Sequence, residues 1–332
     1  MPEQIRNICY AHPTWTIIHA WTGSAARLTL AVMNIYQKYL LFILNIVRLM
    51  LLSQPIIKGA YMQNKIGVMA TLRQDEPCFT ELKKYGVDTC QLVSWAPAIW
   101  TAELAQKVRE EARRQNIFIT GFWAGYCKPA EWNFTGGPQT LGLVPGAYRN
   151  QRTQELMRAG DFAKALGVRA VITHLGFIPE NAGDSVFNEV VIAVRQIATH
   201  LKALGLEFWF ETGQETPVTL LRLMQTVGTD NLGINLDPAN LILYGKGNPI
   251  DALDVFGPYV RNIHAKDGLY PTDPLKLGRE VMVGEGRVRF PEFVKRLAEI
   301  GFPGEFIIER EIHGEQQARD IMATIAYLKQ LQ

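Results

Sequence analysis

The chain reads as an α/β protein, a (β/α)8 TIM barrel carrying an N-terminal extension of uncertain structure. Three observations point there. From Met62 onward, eight short β-rich runs alternate with helix-length amphipathic segments, the signature of parallel βα units. The segment 62–332 is close in length to the roughly 250 residues such a barrel takes. The last four runs each end on a side chain that can carry chemistry, directly after an apolar stretch.

The runs, in order, are KIGVMA (65–70), DTCQLVSW (88–95), IFITGFW (117–123), RAVITHLG (169–176), LEFWFETG (206–213), LGINLD (232–237), VRNIHAKD (260–267) and EFIIERE (305–311). They are short and rich in β-branched and aromatic residues, which suit a pleated sheet. Between them lie TAELAQKVREEARRQN, QELMRAGDFAKALG, SVFNEVVIAVRQIATHLKALG, TPVTLLRLMQTVG and FPEFVKRLAEIG, and GEQQARDIMATIAYLKQ follows the last run. Several of these end in Gly just before the next run, as a helix C-terminal cap does. An open doubly wound sheet is the alternative fold. It wants a Gly-rich phosphate turn after the first strand, and GVMATLRQDE provides none.

Composition excludes several classes. Apolar residues make up 48% and charged residues 20%, which suits a globular chain and not a disordered one. The net charge of +2 gives no footprint for nucleic acid. The four cysteines, Cys9, Cys78, Cys90 and Cys127, show no CxxC spacing, so reduced thiols in a cytoplasmic protein are expected.

Residues 1–61 hold five bases (Arg6, Arg27, Lys38, Arg48, Lys58) and one acid, Glu3, so the positive total comes from this segment. It also contains YLLFILNIVRLMLL (39–52), interrupted by Asn45 and Arg48 and shorter than the ~20 apolar residues of a spanning helix. It lies far from the N-terminus for a signal peptide and has no small-residue cleavage site after it. No stable membrane insertion is expected. The segment reads as sequence outside the working protein, with a weakly membrane-associated amphipathic helix or a helix packed on the barrel as alternatives. MQNKIGVMA, from Met62, runs straight into the first strand.

In a (β/α)8 barrel the C-terminal strand ends form the active-site face. There the sequence places Glu211 (FWFE), Asp237 (GINLD), His264 (RNIH) and Glu309 (FIIE). One acid at a strand end is usually a helix cap or a loop ion pair, and a lone buried His is usually a satisfied core residue. Four on successive strand ends are different. Three carboxylates and an imidazole cannot share one dry spot without compensation. A divalent cation supplies it. The O,O,O,N donor set without thiolate suits Mn2+, Mg2+ or Co2+ better than a structural Zn2+, and Mn2+ is expected.

These pieces resemble a known family. FETG after the fifth run, NLDPAN after the sixth, IHAKD after the seventh and VGEGRVRFPEFVKRLAEIGFPGEFIIERE are similar to the xylose isomerase-like barrels, the sugar isomerase and epimerase superfamily that includes D-tagatose and D-allulose 3-epimerases. The resemblance covers about Met62 to Gln332. It implies that Glu211, Asp237, His264 and Glu309 bind one divalent ion. It also implies that Glu211 and Glu309 exchange a proton beside a substrate carbonyl, through an enediolate. Glu311 shares the face of Glu309 one step further out; the resemblance selects Glu309. The chain departs from the 3-epimerases twice: Asn240 stands where they usually have a His, and the nearest Arg after HAKD is Arg279, in a longer loop.

The expected activity is therefore metal-dependent isomerisation or epimerisation of a small sugar or sugar derivative, by a homo-oligomer. His174, Trp123, Lys266, Asp267, Asn240 and Arg279 are the candidate substrate contacts. For Lys266 and Asp267 ordering of the loop is the other functional reading and a solvated pair the competing one; for His174 support of the metal site stands beside substrate contact, with a structural role competing; core packing is the competing role for Trp123. A lyase or dehydratase acting on a keto-sugar, keto-inositol or oxidised C-glycoside needs the same parts. A phosphodiesterase like endonuclease IV needs many clustered histidines, yet only His174 and His264 of the six lie on the rim; His12, His19, His200 and His313 fall elsewhere.

Overall fold

The computed structural model describes residues 64–332. The expectations placed on residues 1–61 lie outside the described residues. Eight parallel strands close into a barrel. They are β1 (Ile66–Thr71), β2 (Thr89–Ser94), β3 (Phe118–Ala124), β4 (Ala170–Thr173), β5 (Glu207–Glu211), β6 (Leu232–Leu236), β7 (Val260–Ala265) and β10 (Glu305–Ile308). Each falls on one of the eight runs. Closure is made by β10 pairing with β1, Ile66 opposite Phe306. Two further strands, β8 (Asp267–Leu269) and β9 (Arg279–Val281), form an antiparallel hairpin apart from the barrel.

The helices are α1 (Thr80–Tyr85), α2 (Ala102–Gln115), α3 (Gly137–Thr140), α4 (Gly146–Leu166), α5 (Ser185–Ala203), α6 (Pro217–Val227), α7 (Pro238–Leu243), α8 (Pro249–Phe256), α9 (Phe290–Glu299) and α10 (Glu315–Leu331). Sequence periodicity finds the longer ones and misses α1, α3, α7 and α8. All four are short. Every residue of α7 is buried, so it lacks the polar face that marks a helix.

Strand alternation positions the site. In β5, Phe208 and Phe210 join the large core under the helices, while Trp209 joins a separate cluster with Trp123, Ala170 and Ile172. Side chains two apart share a face, so Glu211 stands on the Trp209 side, inside the barrel mouth. By the same count Ile263 and Ala265 belong to the outer core and His264 to the inside. Phe306 and Ile308 belong to the outer core and Glu309 to the inside.

Candidate metal centre

Glu211 is the last residue of β5 and His264 the last but one of β7. Asp237 follows β6, and its side chain caps α7 by accepting the Asn240 N–H at 2.9 Å. Glu309 follows β10, its N–H donating to the Ala265 carbonyl at 3.3 Å. One ligand atom from each of the four lies within 4.8 Å of the others. Glu211, Asp237 and His264 are buried, and the Glu309 side chain is 19% exposed.

Polar residues inside the barrel orient the imidazole. His264 Nε2 lies 2.8 Å from Gln91 Oε1 and 3.0 Å from Asn235 Nδ2. Gln91 and Asn262 donate in turn to Asn235 Oδ1, at 3.2 and 2.7 Å. Gln91 Oε1 is the acceptor that an Nε2–H tautomer needs. That tautomer would leave Nδ1 free to ligate an ion; without one, Nδ1 faces Glu211 Oε1 (3.2 Å) and Glu309 Oε2 (3.3 Å), a position that favours a proton on it.

Glu211 is held on several sides. The Trp123 indole N–H donates to its Oε2. His174 Nε2 stands 3.3 Å from its Oε1, and the Asn240 amide donates to the same oxygen at 3.4 Å. Lys266, 2% exposed, serves the other half of the site. Its ammonium is 3.1 Å from Glu309, 3.2 Å from Glu311 and 3.4 Å from Asp237.

The electrostatics follow from that layout. Burial alone would lower His264, but the Glu211 and Glu309 carboxylates outweigh it and hold the imidazole well above its usual range. Burial lifts the Asp237 carboxyl to about 7, with Lys266 opposing and Glu309 and Glu211 adding to the rise. Burial opposes ionisation of Glu309 as well, yet Lys266 and His264 bring it down to about 2. Glu215, buried four positions beyond Glu211, is lifted by burial to about 7 despite the pull of His174.

The donor set fits a divalent cation. Two of its atoms, His264 Nδ1 and Asp237 Oδ2, are buried without a hydrogen-bond partner, although unpaired buried polar atoms are rare and unfavourable. Glu211, Asp237, His264 and Glu309 would hold the ion through three oxygens and one nitrogen.

A cavity of about 430 Å³ opens over the cluster, lined by Glu211, Glu309, His174, Asn240 and Trp123 among others. Of the remaining candidates, Lys266 lies beside the cluster and is not among the cavity-lining residues. Asp267 turns away: its carboxylate accepts the N–H groups of Gly268, Gly284, Gly286 and Val288 at 2.8–3.1 Å. It fixes the loop that carries VGEGRV, and a Cβ at Gly286 would stand 2.0 Å from its Oδ1. Arg279 is exposed on β9 and is not among the cavity-lining residues. Strand-end reasoning overlooks Gln91, Asn235 and Asn262, polar residues inside otherwise apolar strands. It also overlooks Trp95 and Trp132 on the cavity wall, and Glu215.

Fold and site together define a (β/α)8 barrel with a carboxylate–imidazole cluster at its C-terminal mouth. Residues 79–331 match the family model described as xylose isomerase-like TIM barrel, and the chain belongs to that family. A xylose isomerase domain protein from Planctomyces limnophilus is 35% identical, with a TM-score of 0.76 over 80% of this chain and 96% of that one. D-psicose 3-epimerase from Clostridium cellulolyticum H10, solved with D-tagatose, shares the fold at 15% identity and a TM-score of 0.61, over 80% of this chain and 99% of that one. The uncharacterized protein MJ1311 of Methanocaldococcus jannaschii is 26% identical over 47% of this chain and 56% of its own length. The chain spans about half the length of the curated relatives it matches.

Proposed function

We propose that the barrel is a divalent-metal-dependent isomerase or epimerase of a sugar or sugar derivative, acting by proton transfer beside a carbonyl. The convergence of Glu211, Asp237, His264 and Glu309 within 4.8 Å, under an open cavity, carries this reading. The oxygen-rich set favours Mn2+, with Mg2+ or Co2+ as substitutes. When bound, the ion stabilises negative charge developing on the substrate oxygens as the proton leaves. Glu211 and Glu309 are the two bases, standing on β5 and after β10, three strands apart in the ring. One takes the proton from carbon. The other returns one to the opposite face, giving epimerisation, or to the neighbouring carbon, giving isomerisation. Trp123 and His174 hold Glu211 in place, and Lys266 holds Glu309. Asn240 and His174 offer hydrogen bonds to substrate hydroxyls. The working unit is residues 62–332, and the free thiols Cys78, Cys90 and Cys127 suit a cytoplasmic enzyme.

Proton exchange followed by NMR in D2O, with Mn2+ and a panel of ketoses, keto-inositols and keto-glycosides, tests this. The expected result is deuterium entering beside the carbonyl of a turned-over substrate. Glu309→Gln, checked for metal occupancy, should keep exchange from the Glu211 face and lose product. Normal product formation without solvent deuterium would replace proton transfer with a hydride shift. An unsaturated ketone as product would make the enzyme a lyase.

A further inference from the structure

We propose that Lys266 is the charge selector of the metal centre: its ammonium matches the ligand set to a divalent ion and disfavours a trivalent one. This rests on the metal reading above and adds to it the charge the site accepts.

Lys266 is the one residue between β7 and β8. Its backbone is pinned on both sides. Before it runs the barrel strand that carries His264; after it comes Asp267, whose carboxylate accepts four backbone N–H groups. The Lys266 side chain is 2% exposed, and every polar atom around its ammonium is an acceptor. These are Glu309 Oε2 at 3.1 Å, Glu311 Oε2 at 3.2 Å, Asp237 Oδ2 at 3.4 Å and Asn240 Oδ1 at 3.4 Å. Two of its three carboxylate partners, Asp237 and Glu309, belong to the ligand set. Burying a lysine is costly unless carboxylates pair with it, so the fold places this cation where the ligands are.

No other lysine or arginine pairs with a ligand carboxylate among the described residues. Arg310 turns instead to Glu280 and Asp320, each at 2.8 Å. Lys128 stands 4.9 Å over the Trp95 ring. His174 bears on Glu211 alone among the ligands.

The consequence is electrostatic. An ion held by the oxygens that touch the ammonium stands near it and is repelled in proportion to its own charge. Three ligand carboxylates less one ammonium leave two negative charges, which a divalent ion neutralises. The third charge of a trivalent ion would remain buried and uncompensated. Glu311 tempers this without joining the ligands. Its side chain is 60% exposed. It lines the cavity over the cluster and also a second cavity, of about 590 Å³, that shares Glu309 with the first. Water therefore screens its charge. A lysine that only braced Glu309 would act alike on ions of either charge, and this separates the two roles.

The test is competition between Tb3+ and Mn2+ on the full chain at one pH, read by tryptophan-sensitised Tb3+ luminescence. Trp123, whose indole N–H donates to Glu211, is the sensitiser. Displacement by Mn2+ gives the ratio of the two dissociation constants. Lys266→Met keeps the aliphatic stem and removes the charge, so the ratio should move toward Tb3+ by roughly tenfold or more. Glu311→Gln removes an exposed acid and leaves the ammonium unopposed from that side, so the ratio should move toward Mn2+ by about two- to threefold. If both ions weaken in parallel in Lys266→Met, with the ratio unchanged, Lys266 is a brace for Glu309 and the proposal is overturned. A Glu311→Gln ratio that stays fixed or moves toward Tb3+ overturns it as well, on a variant whose altered side chain faces water. A native chain on which Mn2+ neither displaces Tb3+ nor raises Tm overturns the metal reading itself, a result distinct from an unchanged ratio.

Discussion

Asp237→Asn separates the structural duty of this residue from its charge. Asp237 is fully buried, with Oδ1 on the Asn240 N–H and Oδ2 unpartnered, 3.4 Å from Lys266. Asn caps a helix about as well as Asp, so the fold should persist while one ligand charge is lost. Suppose Mn2+ is supplied at a hundred times its Kd for the native protein. Linkage then stabilises the folded state by about 2.7 kcal/mol. At roughly 2–4 °C per kcal/mol for a domain of this size, Tm rises by about 5–10 °C. If the variant binds a hundredfold more weakly, the same Mn2+ stabilises it by only about 0.4 kcal/mol, or roughly 1 °C.

In EDTA the sign reverses. An acid whose pKa rises on folding contributes stability that is present below its unfolded pKa and lost as pH climbs through the folded value. For Asp237 that window runs from 3.8 to about 7. Above it the native protein holds a buried, ionised carboxylate and the variant does not, so the metal-free variant should melt higher at pH 8. Mn2+ affinity of the native protein should also tighten from pH 6 to 8, because Asp237 must lose its proton to bind. Thermal melts in EDTA and in Mn2+ at both pH values check all three expectations. A variant with the full Mn2+ shift, or a native protein with none, would show that these four residues do not hold the ion.

Three further outcomes are expected. A chain beginning at Met62 should fold and turn over like the full chain, since every barrel strand lies after it; circular dichroism and the D2O assay decide, and loss of folding would place residues 1–61 in the core. Trp123→Phe keeps the ring but removes the N–H from Glu211. A hydrogen bond to a charged group is worth roughly 1.5–3 kcal/mol, so kcat/KM should fall about ten- to a hundredfold with an unchanged far-ultraviolet spectrum, and an unchanged rate would make Trp123 a packing residue only. Glu215, with Oε2 buried and unpartnered and a carboxyl lifted by burial to about 7, should destabilise the native state as pH rises from 4.5 through 7. Glu215→Gln should flatten that decline in a pH series of melts, and an identical decline would assign it to other groups.

The barrel was legible because its strands are short, apolar and separated by regular helices. The four strand-end side chains were legible because polar groups directly after buried runs demand partners. The supporting network was not. Gln91, Asn235 and Asn262 sit inside apolar runs, and only knowledge of which side chains face inward would unite three amides from three strands around one imidazole. Asp267 follows His264 closely, and from spacing alone it could order the loop or reach substrate. The structure spends its carboxylate on four backbone N–H groups. The hairpin carrying Arg279 had too few residues to establish a strand period, so where that side chain would stand could not be read from spacing.

The two glutamates are not equivalent, and the difference bears on the direction of proton transfer. Glu211 is 2% exposed and enclosed by Trp123, His174, His264 and Asn240. Glu309 is 19% exposed and lines both cavities. A proton taken by Glu309 meets solvent directly. A proton taken by Glu211 has one titratable exit on the cavity side, through His174, whose Nδ1 is buried without a partner. Under the proposed reaction, substrate hydrogen lifted by Glu309 should wash into solvent before it can return. Hydrogen lifted by Glu211 should exchange with solvent more slowly, so the Glu309→Gln variant should still exchange, at a rate below that from the Glu309 face. The barrel therefore exposes one base and seals the other, and the sealed one stands on the strand end that Trp123 fixes.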